Sequence, residues 1–147
     1  MRVAVAADHA GFFIKDEIIN VLQSMGMEIL DLGTYDQEPV DYPDYAAKVG
    51  YAIVDKQADR GILVCGSGVG ACIAANKIKG VYAGVCHDTY SAHQGVEHDN
   101  MNVLCLGSRI VGVELVKELV RAFIKANFLP EERFQRRLDK IKQLENR

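Results

Sequence analysis

The sequence predicts an α/β protein built on an open, doubly wound parallel sheet, and three observations predict it. Short β-rich runs alternate with stretches of helical period five times along the 147 residues. The central runs, such as Gly61-Ile62-Leu63-Val64-Cys65, are continuously apolar, as parallel strands covered on both faces must be. Polar, chemistry-bearing residues collect just after these runs, where open parallel sheets place their ligands.

Taken in order, Val3–Ala7 reads as a buried strand ending at Asp8-His9. Ile14, Ile18, Val21, Leu22 and Met25 share one helical face, and Gly26 stops that helix. Glu28–Leu32 is the second strand, followed by a polar loop with Pro39 and a helix over roughly 43–57. Gly61–Cys65 is the third strand, the loop 66–70 follows it, and Ala71–Lys77 forms a short helix. Val81–Cys86 and Val103–Leu106 are the fourth and fifth strands. Val116, Leu119, Val120, Phe123 and Ile124 mark an amphipathic helix. Pro130 opens the last helix as its first residue, with acids in the first turn and an apolar stripe of Phe134, Leu138, Ile141 and Leu144. The expectation is one three-layer, Rossmann-like domain spanning 1–147, with a five-stranded parallel sheet and a C-terminal helix.

Composition narrows the function classes. Hydrophobic residues make up 49% and charged residues 25%, the balance of a globular protein. A net charge of −3 gives no global field for nucleic acid or an acidic membrane surface, so any bound anion must be held by a local group of donors. No apolar run approaches a bilayer span, and the N-terminus runs into a strand with no signal-peptide pattern. The four cysteines, Cys65, Cys72, Cys86 and Cys105, form no C-x-x-C pair, and the histidines show no H-x-x-x-H spacing. No metal site, no cofactor and no disulfide framework is expected, and the expected compartment is the reducing cytoplasm.

The loop Gly66-Ser67-Gly68-Val69-Gly70 joins a buried strand to a helix. It serves either as a tight turn or as a cradle of backbone N–H groups for a phosphate or oxyanion. Cys65 at its mouth favours the second role, because helix N-termini stabilise thiolates. A dinucleotide fingerprint would want G-x-G-x-x-G after the first strand, and a cysteine phosphatase an arginine where Ala71 stands. Proton abstraction beside a carbonyl, with Cys65 as base and the loop amides holding the oxyanion, is the chemistry left standing. His98-Asp99-Asn100 precede the fifth strand, either as surface residues or, with Asp8-His9 on the same rim, as functional ones, while His87 and His93 are left as structural or surface residues. Arg133 and Arg137 share a helical face, a solvated surface or, with Arg109, a phosphate clamp.

Together these segments resemble the type B ribose-5-phosphate isomerase family, which includes the galactose-6-phosphate isomerase subunits. The matching stretches are Asp8–Phe12, Asp41–Ala46, Ile62–Gly70, Ala74–Lys77, Asn102–Leu104 and Gly107–Arg109. The resemblance implies a metal-free aldose–ketose isomerisation through an enediolate. Cys65 would be the base, Ser67 its assistant, His98 the acid that opens the furanose ring, and Asp8 the orienter of sugar hydroxyls. Backbone amides of Gly66, Ser67, Gly68, Val69 and Gly70 would hold the oxyanion; His9, Arg109, Arg133 and Arg137 would contact phosphate or nearby oxygens. It also implies a homodimer or homotetramer with shared active sites. Two positions depart from the family: Asp99, beside the sugar, where an amide is common, and Phe134, where a histidine is frequent. The leading substrate is ribose 5-phosphate; the alternatives are a hexose 6-phosphate such as galactose or allose 6-phosphate, or a non-catalytic binding module for sugar phosphates or nucleotides.

Overall fold

The computed structural model describes residues 1–147. Its elements are β1 (Arg2–Ala7), α1 (Phe12–Ser24), β2 (Glu28–Asp31), α2 (Tyr42–Val54), β3 (Arg60–Cys65), α3 (Val69–Ala75), β4 (Ala83–Val85), α4 (Thr89–Asp99), β5 (Val103–Gly107), α5 (Val113–Lys125) and α6 (Glu132–Leu144). All strand pairs are parallel, in the order β2-β1-β3-β5-β4, with Val5 beside Ile62 and Ile62 beside Leu104. The expected α/β class and five-stranded sheet are both present.

Alternation along each strand divides the interior into two layers. Val3, Val5, Ala7, Ile62, Val64, Leu104 and Leu106 face α1, α4 and α5. Ala4, Ala6, Leu63, Cys65, Val103 and Cys105 face α2 and α3. The second layer is built of smaller side chains, which lets α2 and α3 sit close to the sheet. Helix α6 lies outside both layers and packs on α4.

Five features depart from the sequence reading. The segment 89–99 is a helix that sequence periodicity does not reveal, because only Ala92 and Val96 on it are buried among polar neighbours. Its start is nonetheless written locally: Asp88 Oδ1 accepts the Ser91 N–H at 2.6 Å, an N-cap. β4 is three residues rather than six, and α3 starts at Val69 rather than Ala71. Pro130 lies before α6, whose cap is Glu131. Of the expected stripe on α6, Phe134 and Leu138 are buried, whereas Ile141 and Leu144 are 36% and 67% exposed.

Two side chains close the backbone where regular structure ends. On the outer edge of β4, Asn76 accepts the Ala83 N–H at 2.8 Å and donates to the Ala83 carbonyl at 2.9 Å. At the end of α5 the Arg60 guanidinium donates to the carbonyls of Phe123 (2.5 Å), Ile124 (3.2 Å) and Ala126 (2.6 Å). These are acceptors that a helix C-terminus leaves unpaired, and a cation is favoured there. Arg60→Met is therefore expected to cost about 3 kcal/mol, because three carbonyls lose a charged donor. Thermal unfolding should show it as a fall of roughly 10 °C in Tm.

Candidate active site

The site grows from the carboxyl end of β3. The strand delivers Cys65 with 4% of its surface exposed, and the chain then turns through Gly68 at φ 81°, a left-handed conformation that suits glycine. That turn sends the Gly68 N–H back to Cys65 Sγ at 3.1 Å, so the sulfur acts as an acceptor in this contact. Ser67 Oγ accepts the Val69 N–H at 3.2 Å, and α3 begins there. The neighbouring strand end is pinned to the same loop, since Ser108 N–H donates to the Cys65 carbonyl (2.8 Å) and Arg109 N–H to the Gly66 carbonyl (3.0 Å). His87 serves this scaffold: its Nε2 accepts the Gly107 N–H at 2.9 Å, a structural role in line with its reading.

Asp8 arrives from the end of β1 and is 7% exposed. Its Oδ1 accepts the N–H groups of Ala10 (2.9 Å) and Gly11 (3.1 Å), while Oδ2 accepts none from the protein. His9 Nδ1 accepts the Val40 N–H at 3.1 Å, which places the neutral ring's proton on Nε2. The loop carrying Val40 follows β2, whose Asp31 is paired at 2.7 Å with the buried Lys15.

An open cleft of about 610 Å³ lies here, with neither His9 nor Gly68 among the residues that line it; its walls are Asp8, Cys65, Gly66, Ser67, Val69, Gly70 and Arg109, together with Tyr42, Ile73 and Ile110. The last three escape sequence reasoning. Tyr42 had a signal in the Asp41-Tyr42-Pro43 start of α2, and its ring covers Gly70 so closely that a Cβ there would lie 2.6 Å from it. Arg109 forms no ion pair, so its guanidinium is free above the loop. The rim is apolar and open, with Val69, Ile73 and Ile110 each more than half exposed.

His98, Asp99, Arg133 and Arg137 are not in this cleft. α4 runs back from the carboxyl edge of the sheet, so His98 near its end lies beside the amino edge, where the Asn102 carbonyl meets the Gly61 N–H. Cys65 stands four residues further up β3, roughly 13 Å away along the strand. The expectation that His98 shares a rim with Asp8 and His9 is thus corrected for the single chain. Asp99 lines a separate small cavity with Asn76, Tyr82, Met101 and Ile141. Arg133 pairs with Glu131 at 3.1 Å, Arg136 pairs with Glu132, and Arg137 has no carboxylate partner.

Cys72 faces away from the cleft, its Sγ 3.4 Å from the Ala83 carbonyl. The Cys105 thiol donating toward it lowers its pKa to about 7 against the opposing effect of burial, whereas burial pushes Cys86 up to about 11. Alkylation by iodoacetamide at pH 8 is expected to label Cys72 well before Cys86, with a rate that rises through pH 7 and then levels, as peptide mapping will read. No group of three or more His, Cys, Asp or Glu side chains is gathered to hold a metal ion, and no helix is long and apolar enough to cross a membrane.

Comparison with known proteins gives this arrangement its context. The family described as Ribose/Galactose Isomerase matches residues 3–141. Ribose-5-phosphate isomerase B of Escherichia coli K12 is 44% identical over 146 residues, covering 99% of this chain and 97% of that one. D-erythrulose-4-phosphate isomerase of Pectobacterium atrosepticum is 42% identical over 131 residues, 87% of this chain and 85% of the relative. The solved structure of Clostridium thermocellum ribose-5-phosphate isomerase B superposes with a TM-score of 0.96 at 41% identity, covering 99% of this chain and 98% of that one. With the match running through every strand and through the cleft, the chain belongs to the ribose/galactose isomerase family.

Proposed function

We propose that this chain is an aldose–ketose isomerase of phosphorylated sugars that converts ribose 5-phosphate to ribulose 5-phosphate. The observation that carries the reading is Cys65, an acceptor sulfur held by the Gly68 N–H in an open cleft that also presents the Asp8 carboxylate and an unpaired Arg109, in a member of this family. Ring opening comes first: the His98 Nε2–H hydrogen-bonds the ring oxygen as the C1–O bond breaks, and the proton of the anomeric hydroxyl passes through water to that oxygen as C1=O forms. The Cys65 thiolate then takes the C2 proton, and the electron pair moves through C1=C2 onto O1. Amides of residues 66–70 stabilise that oxyanion. A proton passes from O2 to O1, with the Ser67 hydroxyl beside the loop as carrier. Cys65 returns its proton to C1 as O2 becomes the ketone. Asp8 Oδ2 orients the hydroxyls, and His9 Nε2–H and Arg109 receive the phosphate end.

The working unit is a homo-oligomer, a dimer or a tetramer, with shared sites. What supports this is that His98, Arg133 and Arg137 lie away from their own cleft, while Tyr42, Val69, Ile73 and Ile110 offer an exposed apolar rim for a second copy. Four free cysteines, three of them buried, suit the reducing cytoplasm.

The test is a panel of ribose 5-phosphate, galactose 6-phosphate, allose 6-phosphate and D-erythrulose 4-phosphate incubated with purified protein. Ribulose 5-phosphate formed fastest from ribose 5-phosphate is the expected result. No ketose from the pentose would remove the leading substrate, and no turnover of any sugar would leave a binding module.

A further inference from the structure

His98 is held by more than the helix that carries it. One turn earlier on α4, the Gln94 side-chain amide nitrogen stands 2.9 Å from His98 Nδ1. The opposite constraint comes from α6, where the Phe134 ring stacks on the imidazole at 4.0 Å between centroids and 17° between planes. Phe134 is 2% exposed, so packing surrounds this wall, and the Arg133 guanidinium lies 4.5 Å from the centre of the same ring. The segment leading into α6 is tied to α4 beside His98 by the Leu129 N–H, which donates to the Glu97 carbonyl at 2.9 Å. The ring's plane and its inward nitrogen are both set, while Nε2 has no protein partner and reaches solvent.

We infer that Gln94 is a positioning residue that holds His98 as an Nε2–H donor, with Phe134 as the wall that keeps the ring in plane. An amide N–H aimed at Nδ1 needs a lone pair there, so the neutral ring must carry its proton on Nε2. The nitrogen offered outward is then always a donor and never an acceptor. This rests on the reading of His98 as the group that serves the sugar's ring oxygen, and it explains how that group is made ready before substrate arrives. A ring free to exchange tautomers would present the wrong, acceptor nitrogen part of the time. Gln94 removes that loss, as outer-shell partners do for other catalytic and ligating histidines.

Three variants and three readouts test it. Two-bond proton–nitrogen NMR correlation of the intact protein should show His98 with its proton on Nε2. Gln94→Glu has nearly the same shape but presents only acceptors, so it should move the proton to Nδ1. Gln94→Leu should leave a mixture of tautomers. With ribose 5-phosphate, which must be opened from its furanose, kcat should fall about tenfold in Gln94→Leu and further in Gln94→Glu, with KM little changed. Solvent deuterium exchange at C1 of ribulose 5-phosphate needs no ring opening, because its C5 oxygen carries the phosphate, and should stay near the wild-type rate in both. An Nδ1–H tautomer in the wild type, or unchanged tautomer and kcat in Gln94→Glu, would overturn the inference. Unchanged turnover in His98→Ala, with the Nε2–H tautomer observed, would instead overturn the role given to His98 itself.

Discussion

Replacing Cys65 with alanine is expected to lower kcat for ribose 5-phosphate by about 10³-fold, within the range a positioned base supplies. Only the sulfur is lost. The glycine turn, the Asp8 carboxylate and the Arg109 guanidinium remain, so calorimetric titration should still show sugar-phosphate binding. Cys65→Ser separates geometry from chemistry: the hydroxyl can accept the Gly68 N–H as the sulfur does at 3.1 Å, yet it is a far weaker proton acceptor as an anion source near neutral pH. Both variants should be nearly inactive while melting close to the wild type. Turnover at the wild-type level in either would move the base to another group in the cleft.

The second large effect is a recovery. Cys65→Ala and His98→Ala should each be nearly inactive as pure proteins. Unfolded together and refolded as a mixture, or co-expressed with different tags, they should regain about a quarter of wild-type turnover, because half of randomly paired dimers are mixed and each mixed dimer holds one intact site. This follows from the placement of His98 beside the amino edge of the sheet while Cys65 stands at the carboxyl edge of β3. Recovery measured on the isolated mixed dimer would confirm that cleft and histidine come from different copies. No recovery with mixed dimers demonstrably present would mean that both groups serve within one chain.

Much of the cleft could be read from residue order because its parts are strand ends. Asp8, Cys65 and Arg109 follow buried apolar runs that can only be parallel strands, and one rule of sheet topology brings those ends together. His98 could not be placed in that way. Its helix carries just two buried residues, Ala92 and Val96, so periodicity is too weak to show that 89–99 crosses the sheet from one edge to the other. Without that helix, a histidine shortly before β5 has no defined edge. Tyr42 escapes for a related reason: its contact with Gly70 joins the first residue of α2 to the second residue of α3, a pairing that depends on how the two helices pack and not on either segment alone. The apolar stripe of α6 shows the same limit, because period identifies a face but not how far along the helix the covering partner extends.

The amide of Asn76 also bears on how the protein behaves in a crowded solution. The outward-facing N–H and carbonyl of Ala83 are the groups through which a stray strand would add itself to the open border of the sheet, and one side chain already occupies both as a sixth strand would. Combined with a border strand of three residues, this leaves no template long enough for sheet extension between molecules. Association is thereby directed away from the sheet's β4 border and left to surfaces where side chains, rather than exposed backbone, choose the partner.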